Sequence, residues 1–276
     1  MPLTSIAVLT CWYGDYPWYF PYFIHSCSFN STIDFIIITD NQNSIPDKPN
    51  NVKIIYKKLE KIKEEFSAKL GFEVNIDFPY KLCDFKPAYG YVFQEILDKY
   101  DFWGHGDIDL VYGNIREFMT EELLNNYDVL SSRHDYITGS FALFRNNEQI
   151  NSLFLESRDY KLVFSNSINY CFDECNYLFQ ELGRGASIFD FLDSIESMTL
   201  VVKRAEKEGR VKVFFDFIVL EGNPGNIKWD NGRVIYKDRF EAMFYHLIKF
   251  KEVCKQRTVL DFIPNTYFFT SKIIKV

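Results

Sequence analysis

Tyr100-Asp101-Phe102-Trp103-Gly104-His105-Gly106-Asp107-Ile108-Asp109 decides how the rest of the chain is read. An aromatic, strand-like run ends there in two carboxylates one residue apart, so an extended backbone projects both to the same side. Such a pair repels itself: at about 4 Å and an effective dielectric of about 20, two like charges cost roughly 4 kcal/mol. A divalent cation turns that cost into attraction, and hard oxygen ligands suit Mg²⁺ or Mn²⁺. The alternative is a strand that ends in a solvated polar turn.

Upstream, strands and helices alternate. Ile6 to Cys11 is a short β-rich run, and a Pro17-started aromatic segment reads as a helix to about Asn30. Ile33 to Asp40 is nearly all apolar and stops at a carboxylate, as strands buried on both faces do. Val52 to Tyr56 reads as a third strand and Leu59 to Leu70 as a charged helix. After Lys81-Leu82-Cys83-Asp84-Phe85-Lys86-Pro87, the apolar positions Tyr89, Val92, Phe93, Ile96 and Leu97 predict a helix with one face on the sheet. The expected fold is α/β, a Rossmann-like mixed central sheet with helices on both faces and ligands beyond the carboxyl ends of its strands. Asp15, Asp40, Asp107 and Asp109 all fall at such ends.

Downstream the pattern is less regular. Asp128 to Ser132 and Gly139 to Phe144 read as strands flanking the polar turn Arg133-His134-Asp135. Ile150, Leu153 and Phe154 mark a helix; Cys175, Leu178, Phe179 and Leu182 mark another whose first turn carries Asp173 and Glu174. Val211 to Leu220 is a strand, Lys228 to Val234 a hairpin, and Phe268 to Val276 a last strand. No repeat or low-complexity linker interrupts the chain, so residues 1–276 read as one domain.

Composition narrows the function. A chain of 276 residues buries roughly three quarters of its unfolded surface. Hydrophobic residues make up 47% and aromatic residues 18%, enough for a thick core and a stacking surface. The net charge of -7 argues against a nucleic-acid partner, although a metal can bring positive charge to a phosphate ligand. Met1 to Ile6 lacks a secretory pattern and no run is long enough for a membrane span, so a cytoplasmic protein is expected. The six cysteines show no paired zinc spacing, and Cys171 and Cys175 read as packing residues.

The order of landmarks resembles a GT-A-type glycosyltransferase of the bacterial capsule, exopolysaccharide or lipopolysaccharide kind. Tyr13-Gly14-Asp15-Tyr16-Pro17-Trp18, Ile33 to Asp40, Lys81 to Pro87 and Gly106 to Ile115 carry the likeness. Gly139 to Asn146, Phe172-Asp173-Glu174 and Tyr245 to Lys251 continue it over most of the chain. The resemblance implies a nucleotide-diphospho-sugar donor held by Mn²⁺ or Mg²⁺, with Asp107 and Asp109 on the metal and Asp107 also toward the diphosphate. It implies a donor half in 1–115 and an acceptor half in 116–276. It implies too that His246 completes the metal site, with Lys249 or Lys251 near the phosphates; a structural role beside Phe240, Met243, Phe244 and Leu247 is the alternative. Lys249-Phe250-Lys251 departs from the Lys-Pro-Trp ending common in that family.

Asp173 and Glu174 are similar to the family's acceptor-side acidic pair, with Asp173 slightly favoured as the base. Helix capping accounts for at least one of them equally well. Thr10, Trp12, Tyr13 and Asp40 lie where the family holds the nucleoside. Lys81, Asp84 and Lys86 fall where it contacts ribose, diphosphate or sugar, or else form surface salt bridges. Gly139 and Ser140 would let the backbone approach a sugar, and Trp229 is an acceptor platform or a packing residue.

The implied activity is sugar transfer to a hydroxyl of a surface glycan or lipid-linked glycan, with room for peripheral contact at the inner membrane face. A sugar-nucleotide nucleotidyltransferase is the first rival, but residues 6–17 offer one glycine and no Lys or Arg for a phosphate loop. A non-catalytic carbohydrate-binding protein is the second.

Overall fold

The protein is described from a computed structural model covering residues 3–255 and 262–276. Met1 and Pro2, part of the N-terminal stretch read above, lie outside the described residues. Seven strands form the central sheet: β1 (Ile6–Trp12), β2 (Ile33–Thr39), β3 (Val52–Tyr56), β4 (Phe102–Gly106), β6 (Val129–Ser131), β7 (Phe141–Arg145) and β8 (Val213–Phe215). Their order is β3-β2-β1-β4-β7-β6-β8. The first four run parallel, β7 is antiparallel to both β4 and β6, and β8 is parallel to β6. The sheet is therefore mixed, as expected from the sequence.

Alternation along β1 and β2 builds a core on each face. Ile6, Val8, Phe35 and Ile37 pack on one side with the helix Phe20–Ser28; Ala7, Leu9, Ile36 and Ile38 pack on the other with the helix Leu59–Leu70. The first face also carries two small sheets. One pairs β5 (Leu110–Tyr112), β13 (Phe244–His246) and β9 (Val219–Leu220) in the order β5-β13-β9. The other contains β10 (Ile227–Asp230), β11 (Arg233–Tyr236), β12 (Phe240–Ala242), β14 (Thr266–Phe269) and β15 (Ile274–Lys275).

Several expectations are corrected locally. The helix expected after Pro87 is a chain of short turns, among them Tyr89–Val92 and Gln94–Leu97. Gly90 lies so close to Trp103 that a Cβ there would sit 2.4 Å from the indole, and Phe93 leaves helical geometry at ψ 29°. Asp173 and Glu174 lie in a run of turns, and helix begins only at Phe179, which removes the capping explanation. The strand expected over Val211 to Leu220 breaks into β8 and β9, which join different sheets. His246 sits on a strand, so Phe240, Met243, Phe244 and Leu247 form no helical face beside it.

Trp229 is fully buried, stacked 5.0 Å from Tyr267, and its indole N–H donates to the Tyr112 carbonyl at 2.8 Å. It is therefore a packing residue and cannot receive an acceptor. The helix Met198–Lys207 was not anticipated, although Met198, Val201, Val202 and Ala205 carry its buried face at helical spacing.

Candidate active site

A cleft of about 760 Å³ opens beyond the carboxyl ends of β1 and β4. Thr10, Trp12, Tyr13, Lys86, Asp107, Asp109, Ser140, Asp173, Glu174, His246 and Lys251 all line it. β4 ends at Gly106, whose carbonyl accepts from the Thr10 hydroxyl at 2.7 Å. Asp107 and Asp109 then fall on the turn between β4 and β5 rather than on the strand itself.

The small sheet explains how His246 arrives. β5 pairs antiparallel to β13 with His246 opposite Leu110, which places the imidazole beside Asp109. One ligand atom from each of Asp107, Asp109 and His246 lies within 4.8 Å of the others. His246 Nε2 is 3.4 Å from Asp109 Oδ1, and its Nδ1 is 3.4 Å from Glu221 Oε1. Arg133 holds Glu221 at 2.9 Å and grips Asp135 with two nitrogens at 2.8 Å.

Cations compensate the excess of carboxylates. Lys251 donates to Asp109 Oδ2 at 2.6 Å, and Lys86 donates to Asp107 Oδ1 and to the Gly139 carbonyl, both at 2.7 Å. Burial pulls the His246 pKa down, but Asp109 and Glu221 outweigh it and raise the value to about 10. Burial likewise opposes the Lys86 charge, yet Asp107 and Asp173 hold its pKa well above the usual lysine value. Asp109 is depressed below the carboxylate range by His246 and Lys251 despite its burial.

The acidic pair faces the same cleft. Burial raises the pKa of both carboxyls, most strongly that of Asp173, where Glu174 adds its charge to the effect. Glu174 Oε1 accepts from the Gly139 amide at 2.7 Å, which favours its charged form. A Cβ on Gly139 would come within 2.5 Å of Asp173 Oδ2, so what this glycine admits is the acidic pair.

Other expected residues lie elsewhere. Lys81 and Asp84 are corrections: both side chains are fully buried, 2.7 Å apart, and neither lines the cleft. Lys81 also donates to the carbonyls of Val163 and Ile168, while Asp84 accepts from the amides of Tyr170 and Phe172. They brace the turn that carries the acidic pair. Lys249 is exposed and 3.5 Å from Glu252, outside the cleft lining. Asp40 accepts from the Gly14 amide at 2.9 Å and borders a neighbouring hollow, which shares Tyr13 and Pro79 with the main cleft.

A family model for a family of unknown function, DUF6625, matches residues 8–274. The chain belongs to that family. No curated protein matches this DUF6625 member. Solved structures similar to it include galactosyltransferase LgtC in complex with donor and acceptor sugar analogues, 10% identical with a TM-score of 0.36. That likeness covers 60% of the DUF6625 chain and 67% of the LgtC chain, about two thirds of its length. Mouse xyloside xylosyltransferase 1 in its apo form is 12% identical with a TM-score of 0.45, covering 89% of this chain and 98% of the mouse one.

Sequence reasoning missed Glu221, Arg133 and Tyr19, of which Glu221 and Tyr19 line the cleft. The signal for Glu221 was present: it is a carboxylate directly after a strand, as Asp40 is. Arg133 was read only as part of a turn, because its partner Glu221 lies far along the chain.

Proposed function

We propose that this protein is a metal-dependent glycosyltransferase that moves a sugar from a nucleotide-diphospho-sugar to an acceptor hydroxyl. The observation that carries the reading is the convergence of Asp107, Asp109 and His246 within 4.8 Å at a cleft whose lining includes the acidic pair Asp173 and Glu174. The two carboxylates suit Mn²⁺ or Mg²⁺, and Lys86 and Lys251 supply positive charge beside them. When bound, the ion supplies Lewis-acid stabilisation of the departing nucleoside diphosphate.

The chain's own residues do the rest. As a ligand His246 would be neutral, with its Nδ1–H directed at Glu221 and its Nε2 toward the carboxylates. Lys86 and Lys251 stand ready to pair with phosphate oxygens once the carboxylates are engaged. Thr10, Trp12, Tyr13 and Asp40 border the space assigned to the nucleoside. One carboxylate of the Asp173–Glu174 pair takes the acceptor proton, with the Gly139 amide opposing the rise that burial imposes on Glu174. Residues 1–115 supply the donor side and 116–276 the acceptor side of a single domain. The acceptor is a hydroxyl of a bacterial surface glycan, such as capsule, exopolysaccharide or lipopolysaccharide, and lipid linkage of that glycan would bring the protein to the inner membrane face. No helix among the described residues is long and apolar enough to cross a membrane.

Thermal unfolding with Mn²⁺ and UDP or GDP tests the reading. At 100 times Kd the nucleotide should stabilise the fold by about 2.7 kcal/mol, and only with metal present. A panel of nucleotide sugars then identifies the donor by nucleotide release. A melting curve indifferent to metal and nucleotide would leave the non-catalytic carbohydrate-binding alternative.

A further inference from the structure

One wall of the cleft is not used by the donor chemistry. Tyr80, Tyr136, Tyr177 and Phe179 line it, and Asn169 stands among them. Tyr177 meets Phe179 edge-on at 6.4 Å, Phe179 lies 5.3 Å from Tyr136, and the Arg133 guanidinium covers Tyr136 at 4.8 Å. Tyr136, Phe179 and Tyr177 therefore form a continuous run of rings, and the last two belong to the stretch of chain that presents Asp173 and Glu174.

The backbone there is under strain. Cys171, Asn176 and Tyr177 take φ of 52°, 52° and 65°, a left-handed conformation that a bulky aromatic residue rarely adopts. Strain of this kind persists where surrounding contacts impose it, and it concentrates at functional sites. Here its effect is to leave Tyr177 55% exposed, with its hydroxyl donating to the Asn169 carbonyl at 2.9 Å and to Oδ1 at 2.7 Å. Tyr80 is 68% exposed. The Asn169 Nδ2 donor is buried without a partner.

We propose that this wall is the acceptor subsite and that it takes a pyranoside ring; the inference rests on the transferase reading and specifies its acceptor class. A pyranose has an apolar C–H face and a rim of hydroxyls. Electron-rich ring faces take the first, and carboxylate and amide groups take the second. A lipid chain would need a continuous apolar lining, which Asp173, Glu174 and Asn169 interrupt. A polyanion would be repelled by the same carboxylates.

The test is binding of the fluorescently labelled full chain to an array of immobilised di- to hexasaccharides, with Mn²⁺ and UDP or GDP present. The expected result is retention on a subset of pyranosides, weakened about tenfold or more in Tyr177→Ala, with the nucleotide-dependent thermal shift unchanged. Tyr177→Gly should lose the same binding while melting higher than Tyr177→Ala, because glycine relieves the left-handed backbone. Absence of retention on the array, or full retention by Tyr177→Ala, overturns the subsite. Nucleotide binding without saccharide binding sinks this inference and leaves the transferase reading intact. Saccharide binding lost with Tyr177 but accompanied by no nucleotide binding sinks the transferase reading and leaves a sugar-binding wall.

Discussion

Two lysine–aspartate pairs, Lys81–Asp84 and Lys86–Asp107, stand close together in sequence and behave in opposite ways. Both are 2.7 Å contacts. Lys81–Asp84 is sealed from solvent, and its remaining hydrogen-bonding capacity goes to carbonyls and amides of the 163–172 stretch. Lys86 faces two carboxylates, and its partner Asp107 keeps a third of its side-chain surface exposed. Burial lowers the Lys81 pKa, with Asp84 only partly restoring it, whereas surrounding carboxylates raise that of Lys86. A charge pair closed on itself is scaffold. A pair set in surplus charge of one sign and open to a cleft is a site.

That contrast can be broken by measurement. Lys81→Met strands Asp84 in the interior and should cost about 3–5 kcal/mol of stability in urea, while Mn²⁺ affinity of the folded protein stays the same. Reduced affinity at normal stability would erase the distinction between the pairs. Asp109→Asn should weaken Mn²⁺ binding in titration calorimetry by about a hundredfold or more and remove the nucleotide-dependent thermal shift. Wild-type affinity in that variant would end the metal assignment.

The next effect concerns pH. With His246 raised to about 10 in the metal-free protein, binding must expel a proton, so Mn²⁺ affinity should climb about tenfold per pH unit from pH 6 to 8. The metal-free fold shows the opposite trend. A histidine with an elevated folded pKa contributes stability that is full below about pH 6.5 and lost as pH rises through about 10. A flat affinity profile would mean the imidazole is already neutral. The smallest expected change is in Lys86→Met: with the competitor for Asp107 Oδ1 gone, Mn²⁺ should bind about threefold to tenfold more tightly. Weaker binding would show that Lys86 organises Asp107 rather than competing for it.

The parallel half of the sheet was legible because β1, β2 and β3 are bounded β-rich runs, with Asp15 and Asp40 after the first two. Asp107 and Asp109 stood out for the same reason. The two lysine pairs did not separate, because sequence spacing says nothing about which side of a short helical turn faces a cleft. Trp229 was open between platform and core, since its fate depended on Tyr267 and Tyr112, both distant in the chain. The Asp173–Glu174 turn was mistaken for a helix start because its apolar followers have helical spacing, while Cys171, Asn176 and Tyr177 carry left-handed angles that no local pattern announces. That Glu221 stands beside His246 became visible only through the β9–β13 pairing, with Leu220 opposite Tyr245.

The strand order β5-β13-β9 gathers pieces from the middle and the far end of the polypeptide. A cation seated between Asp107, Asp109 and His246 would rivet those distant pieces together and narrow the conformational freedom of everything strung between them. Loading with Mn²⁺ should therefore slow proteolytic nicking of the stretch leading to His246, which makes cleavage rate a gauge of occupancy that requires no knowledge of the substrate.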